Sequence, residues 1–166
     1  SSLHAADITW SGTSTTAFST AANWVGGVAP ANSTTADIAI FADPIPGNQP
    51  NLTASQSLGG LTFSGAGAGG WTLGGTGLQL TFGAGNITSN NTSGTNTIQP
   101  NVLIGSGVSA GTFTIGSGGS LRLAGSLLVN NTRTLAVNGG TLRVASLNSV
   151  AAGVGSFSTT GSGSII

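Results

Sequence analysis

The sequence predicts an all-β chain wound as a parallel β-helix, a β-solenoid of about 21 residues per coil behind an N-terminal β cap, and three observations carry that prediction. First, "GGSLRLAG" at Gly118 to Gly125 returns as "GGTLRVAS" at Gly139 to Ser146, with an arginine in the same slot, 21 positions on. Second, the apolar residues come in short pulses such as "GTFTIG", "SLLVNN" and "GGWTLGG", closed by Gly or Asn. Third, 29 glycines among 166 residues, with abundant Ser, Thr, Ala and Asn, are poor material for helices. A repeat of about 21 residues with two or three strand-length pulses per period describes a coil that covers its apolar face by stacking on the next. Leucine-rich repeats share the period but need an L-x-x-L-x-L-x-x-N pattern that is missing here.

Residues 1–50 form the cap in this reading. Their pulses are irregular, they hold two of the three tryptophans, and "ADIAIFAD" is their clearest strand. "DPIPGNQPN" supplies three of the five prolines and marks a corner before the β-helix proper, residues 51–166. From there Leu61 in "GGLTFSG", Phe82 in "LQLTFG", Leu103 in "NVLIG", Leu121 and Leu142 fall at similar intervals, with "SGSII" after them, and predict five or six turns of one coil. Leu121 and Leu123 flank Arg122, and Leu142 and Val144 flank Arg143, so the apolar side chains share one face and the arginines the other. "VNGGTL" and "NITSNNTSG" read as corners, because Gly and Asn enter left-handed backbone conformations at little cost.

Charge is scarce. Asp7, Asp37, Asp43, Arg122, Arg133 and Arg143 are the only Asp, Glu, Lys or Arg residues, and the formal net charge is zero. That offers no basic footprint for nucleic acid, and no apolar run is long enough to predict membrane insertion as a helix. Absence of Cys removes disulfides and thiol chemistry. The chain starts at Ser1, as it would after removal of a signal peptide or of an initiator Met.

The order of "ITWSG", "STAANWVGGVAP" and "ADIAIF", followed by "SLGGLTFSGAGAGGWTLGGTGLQLTFGAGNITSNNTSGTNTIQPNVLIGSG", resembles the autotransporter-associated β-strand repeat proteins of bacterial surfaces. The likeness runs from residue 8 to about 145. It implies export, a right-handed β-helix and a secreted or cell-surface location, usually without catalytic chemistry. Family members are often far longer and carry a C-terminal anchor or translocator; this sequence stops at Ile166, so self-transport is not expected of it.

An enzyme on such a fold needs clustered carboxylates, as calcium ligands or as an acid and base pair. Here Asp37 and Asp43 flank an apolar strand with no Glu, Lys or Tyr nearby in sequence, so turn and cap roles are expected, and no catalytic, metal or cofactor residues are predicted. His4 stands alone. Trp71 alternates with Leu73 and reads as core, whereas Trp24 is the candidate for stacking against a surface glycan. The pairs Thr95 and Thr97, Thr112 and Thr114, and Thr132 and Thr134 bring to mind threonine rows on ice-binding solenoids, but their intervals are uneven.

A solenoid has two open ends, and "GVGSFSTTGSGSII" lacks the charge or proline that would blunt one. The sequence therefore predicts a non-catalytic structural subunit that assembles head-to-tail with itself into an extracellular filament or surface layer. Its expected contacts are Asp7, Asp37 and Asp43 on one copy and Arg122, Arg133, Arg143, Ile165 and Ile166 on the next. Two other readings stay open: a monomeric adhesin or glycan-binding module, and a fragment of a longer autotransporter-like passenger.

Overall fold

Alternation of apolar and polar side chains leaves each short strand one face to bury, and this chain buries it by laying strand on strand in parallel. The structure, a computed structural model, describes residues 6–105, 110–129, 134–149, 156–160 and 163–166. In chain order the strands are β1 (Asp7–Thr9), β2 (Ile38–Phe41), β3 (Gln56–Phe63), β4 (Thr72–Leu73), β5 (Gln79–Ser89), β6 (Thr95–Ile98), β7 (Asn101–Ile104), β8 (Ala110–Val129), β9 (Thr134–Ser149), β10 (Ser156–Thr160) and β11 (Ser164–Ile165). Every pairing between them is parallel. The helical content of the described residues is one 3₁₀ turn at Ala21–Asn23. The result is an all-β solenoid of about 4 turns, with successive turns ~24 residues apart.

Each complete turn has three walls, because β3, β5, β8 and β9 bend around corners and serve more than one. The first wall stacks β1, β2 and residues 60–63, 86–89, 112–115 and 136–139, with β10 last. The second stacks β4, β6 and residues 120–123 and 141–144, with β11 last. The third stacks residues 56–58 and 79–82, β7, and residues 126–129 and 146–149. Inward positions form continuous columns in which like sits over like. Ala39, Leu61, Ile87, Phe113 and Val137 are in register on the first wall, and Leu73, Ile98, Leu123 and Val144 on the second. Leu58, Phe82, Ile104 and Val129 do the same on the third. Most of these side chains are fully buried, which is worth about 1.5–3 kcal/mol for each large one.

The repeat that exposed the fold is real stacking: Leu121 lies over Leu142 and Arg122 over Arg143. The extrapolation from it needs correction. "NVLIG" and "LQLTFG" belong to the third wall and Leu61 to the first, so the five or six turns expected of one wall are about 4 turns of three walls. The interval varies because corners differ in length and the register slips between Leu58 and Gly60, Ile115 and Ser120, and Leu123 and Ser126.

The two segments read as corners each hold one, at Gly139 and Gly140 and at residues 90–94, but their flanks are wall strand, Asn86–Ser89 in the first wall above all. Gly139 has φ +88°, a conformation that side chains disfavour, and a Cβ there would strike the Ile115 carbonyl of the coil below. The "NITSNNTSG" corner is held by buried polar side chains. Asn96 Oδ1 accepts the Gly70 and Trp71 N–H groups at 3.0 Å each, and its Nδ2 donates to Ser89 Oγ and Asn91 Oδ1. Asn91 Nδ2 donates in turn to the Ser93, Gly94 and Ser120 carbonyls. Buried polar groups are tolerable only when satisfied in this way.

The N-terminal end is built differently. β1 and β2 already belong to the first wall, and residues 10–37 make the irregular coil between them, in which Ala17 bridges Asn51 in parallel and Ser33 N–H donates to the Ser57 carbonyl. Trp10, Phe18 and Trp24 pack edge to face or stacked, and Trp24 reaches Phe41. Trp10 and Trp24 form an antiparallel bridge, and Val25 N–H donates to the Thr9 carbonyl at 2.8 Å. An antiparallel return on a parallel edge occupies part of the donors and acceptors that a further coil would use. The proline-rich segment is tied into the same cap. Trp10 Nε1 donates to the Asn48 carbonyl and Asn48 Nδ2 to the Gly12 carbonyl.

Candidate functional site

Hydrolytic or lyase chemistry would start from the carboxylates, and these are dispersed. Asp7 is exposed on β1. Asp37 and Asp43 stand at opposite ends of β2 with separate tasks: Asp37 Oδ2 accepts the Ala31 N–H at 2.7 Å, and Asp43 Oδ1 accepts Trp71 Nε1–H at 3.3 Å. Asp37 thus ties the backbone of the cap, as expected of it, whereas Asp43 holds the indole of a core tryptophan, a task outside the turn and cap roles expected of the pair. Ser89 is buried, but its hydroxyl donates to an amide oxygen, that of Asn91, at 2.7 Å, which cannot act as a general base. Among the described residues no three of His, Cys, Asp and Glu come together as metal ligands, and no helix is long and apolar enough to cross a membrane. His4, Arg133 and Thr132 lie outside the described residues.

Trp24 requires a correction. It is 2% exposed, with its ring among Trp10, Phe18 and Phe41 and its Nε1 donating to the Phe18 carbonyl at 2.7 Å. Stacking on a sugar needs a free ring face, so the glycan platform expected at Trp24 is not there. Trp71 is core, as its alternation with Leu73 predicts. Thr95 and Thr97 sit on the second wall and Thr112 and Thr114 on the first, so these pairs do not line up into one row.

What the molecule does present lies at its ends. Four large apolar side chains are strongly exposed among the described residues: Val25 at 63%, Val28 at 61%, Leu147 at 51% and Ile166 at 61%. Val25 lies just outside β1, at the N-terminal end, and Val28 follows it in the cap. Leu147 is the last rung of the inward column of Leu80, Val102 and Leu127, and Ile166 stands in the partial coil that follows, opposite Arg143. Ile166 continues the pairing of β11, its N–H donating to the Leu142 carbonyl and its own carbonyl accepting from Val144. There Leu127, Leu142, Val144, Leu147, Ile165 and Ile166 line a hollow of about 190 Å³. β10 and β11 pair only with β9 among the described residues. Ile165, half-buried, pairs with Leu142, and Ile166 is exposed beside it.

On the second wall the outward column runs Thr72, Thr97, Arg122, Arg143. Both arginines are exposed, neither has an ion pair or hydrogen bond among the described residues, and with Val144, Ala145 and Ile166 they line an open cleft of about 310 Å³. The sequence reading found the arginines and the C-terminal isoleucines but missed Val25, Val28, Leu147 and the hollow. "WVGGVAP" and "ASLNS" carry the same apolar pulses as buried strands, so exposure at these positions had no separate signal.

No protein-family model matches this chain, and no curated protein or solved structure is significantly similar to it.

Proposed function

We propose that this protein is a non-catalytic structural subunit of an extracellular filament or surface layer, joined head-to-tail to copies of itself. One observation carries the reading: among the described residues Val25 is exposed beside the outer edge of β1 at one end of the solenoid, and Leu147 is exposed on the last rung of an inward column at the other. A cavity of about 150 Å³ lined by aliphatic groups stays dry and accepts an apolar guest. The hollow of about 190 Å³ beside Leu147 and Ile166 has room for an apolar side chain such as that of Val25. A knob at one end and a hole at the other make a heterologous contact, which yields open filaments where rotation does not close a ring.

Opposite charge supports the same polarity. Exposed Asp7 lies on the first strand and exposed Arg143 on the last three-walled coil, so head-to-tail approach is favoured over head-to-head. The antiparallel return at the N-terminal end gives side-chain docking a larger share of the cohesion than continuous strand addition. Export to a cell surface rests on the resemblance of "STAANWVGGVAP" and the segments around it to secreted β-strand repeat proteins.

End-blocked variants test the proposal. Val25→Asp with Val28→Asp disables one end, and Leu147→Asp with Ile166→Asp the other. Sedimentation velocity should find long assemblies for the unaltered protein, monomers for each variant alone, and 1:1 dimers that grow no further when the two variants are mixed. Unaltered protein that stays monomeric at every concentration, or a mixture that stays monomeric, overturns the reading.

A further inference from the structure

From the arginine pair on the second wall we infer a binding site for an oxyanion, a carboxylate or sulfate group, carried on an acidic polysaccharide. The inference does not rest on end-on association. Arg122 and Arg143 are direct partners on adjacent strands, so their backbones are about 4.8 Å apart and their side chains leave the wall side by side. Like charges directly opposite one another are destabilising, and nothing among the described residues neutralises them. The carboxylates that might do so are engaged or distant: Asp37 holds the Ala31 N–H, Asp43 holds Trp71, and Asp7 is on the first strand. A single oxyanion between two guanidinium forks removes the repulsion and satisfies both with charge-assisted hydrogen bonds.

The shape of the site points to a polymer. The cleft between Arg122, Arg143 and Ile166 is open, and exposed ion pairs in water are weak one at a time, so a free ion has little to hold it. A chain lying along the outward column gains more, because Thr97 and Thr72 continue the line with hydroxyl groups that can meet sugar hydroxyls. Nucleic acid is the poorer fit, since it calls for a broad basic surface and this chain has zero net charge.

Polygalacturonate, monomeric galacturonate and inorganic sulfate serve as probes, with binding followed by calorimetry at low salt on the full chain. The polymer should bind, weaken steeply with added salt, and lose about tenfold in affinity with either Arg122→Gln or Arg143→Gln and all measurable affinity with both. Without polymer the double variant should melt at the same temperature as the unaltered protein or slightly higher, because the like-charge neighbours are gone. Polymer should raise the melting temperature of the unaltered protein and not of the double variant. Monomeric galacturonate or sulfate binding as tightly as the polymer overturns the polysaccharide assignment. A double variant that stops self-association yet binds polymer unchanged overturns it too, and assigns the arginines to the subunit contact.

Discussion

At the scale of single residues, the fold depends on a few side chains that make its corners affordable in free energy. Asn96 satisfies two backbone donors of the neighbouring coil, Gly70 and Trp71, from a position with almost no access to water. Asn96→Ala leaves the buried Trp71 N–H unpaired, whereas the exposed Gly70 N–H keeps the Thr95 carbonyl, and should cost about 1–3 kcal/mol, read as a lower midpoint in chemical denaturation. Asn96→Asp is expected to be no rescue, since the carboxylate keeps the acceptor but loses the Nδ2 donor to Ser89 and Asn91 and brings a charge into the core. Gly139→Ala meets a positive φ and the Ile115 carbonyl together, for a loss of about 1–3 kcal/mol. That corners stand here is legible, because Gly and Asn clusters have few other uses. Which asparagine enters the core is not, since Asn90, Asn91 and Asn96 are chemically identical and only the register sends Asn91 and Asn96 inward.

At the scale of strands and coils, a column is the unit of stability, and the cost of an identical truncation depends on the rung. Leu123 is fully buried between Ile98 and Val144, so Leu123→Ala should cost about 2–5 kcal/mol. Leu147, on the last rung of its column, is half in water, so Leu147→Ala should change the stability of the monomer by only about 0.5 kcal/mol while weakening self-association. Equal losses at both positions would mean that the end is covered within one molecule. The same columns explain what the sequence discloses and what it hides. Arg122 over Arg143 is legible because the wall itself repeats one short pattern in register, Leu121-Arg122-Leu123 over Leu142-Arg143-Val144, although the corners on either side of it differ in length. Phe82 and Leu61 are placed on walls other than that of Leu121 because an apolar pair spaced by one residue looks the same on every wall. A stretched corner, or a register slip such as that between Ile115 and Ser120, shifts the interval without leaving a mark in composition.

At the scale of the whole molecule, stability in a solenoid is a chain of nearest-neighbour terms, so an end fails first unless something covers it. The N-terminal end has its cover in Trp10, Phe18 and Trp24 over Phe41, with the return at Val25 closing part of the edge. At the other end, β10 and β11 pair with β9 alone among the described residues, beside an apolar hollow. Hydrogen exchange should therefore run in order. In the monomeric variant with Val25→Asp and Val28→Asp, amides of β11 and β10 exchange fastest among the strands, and those of β5, β7 and the middle of β8 slowest. In the self-associating protein, docking adds a neighbour to the frayed end, so protection of β11 and of residues 141–147 should rise while the middle coils hardly change. Zero net charge removes the long-range repulsion that would keep copies apart, so this protection should depend on protein concentration. Protection at β11 that is already high in the monomer, and independent of concentration, would show a closed C-terminal end and leave Leu147 and Ile166 without a partner to explain.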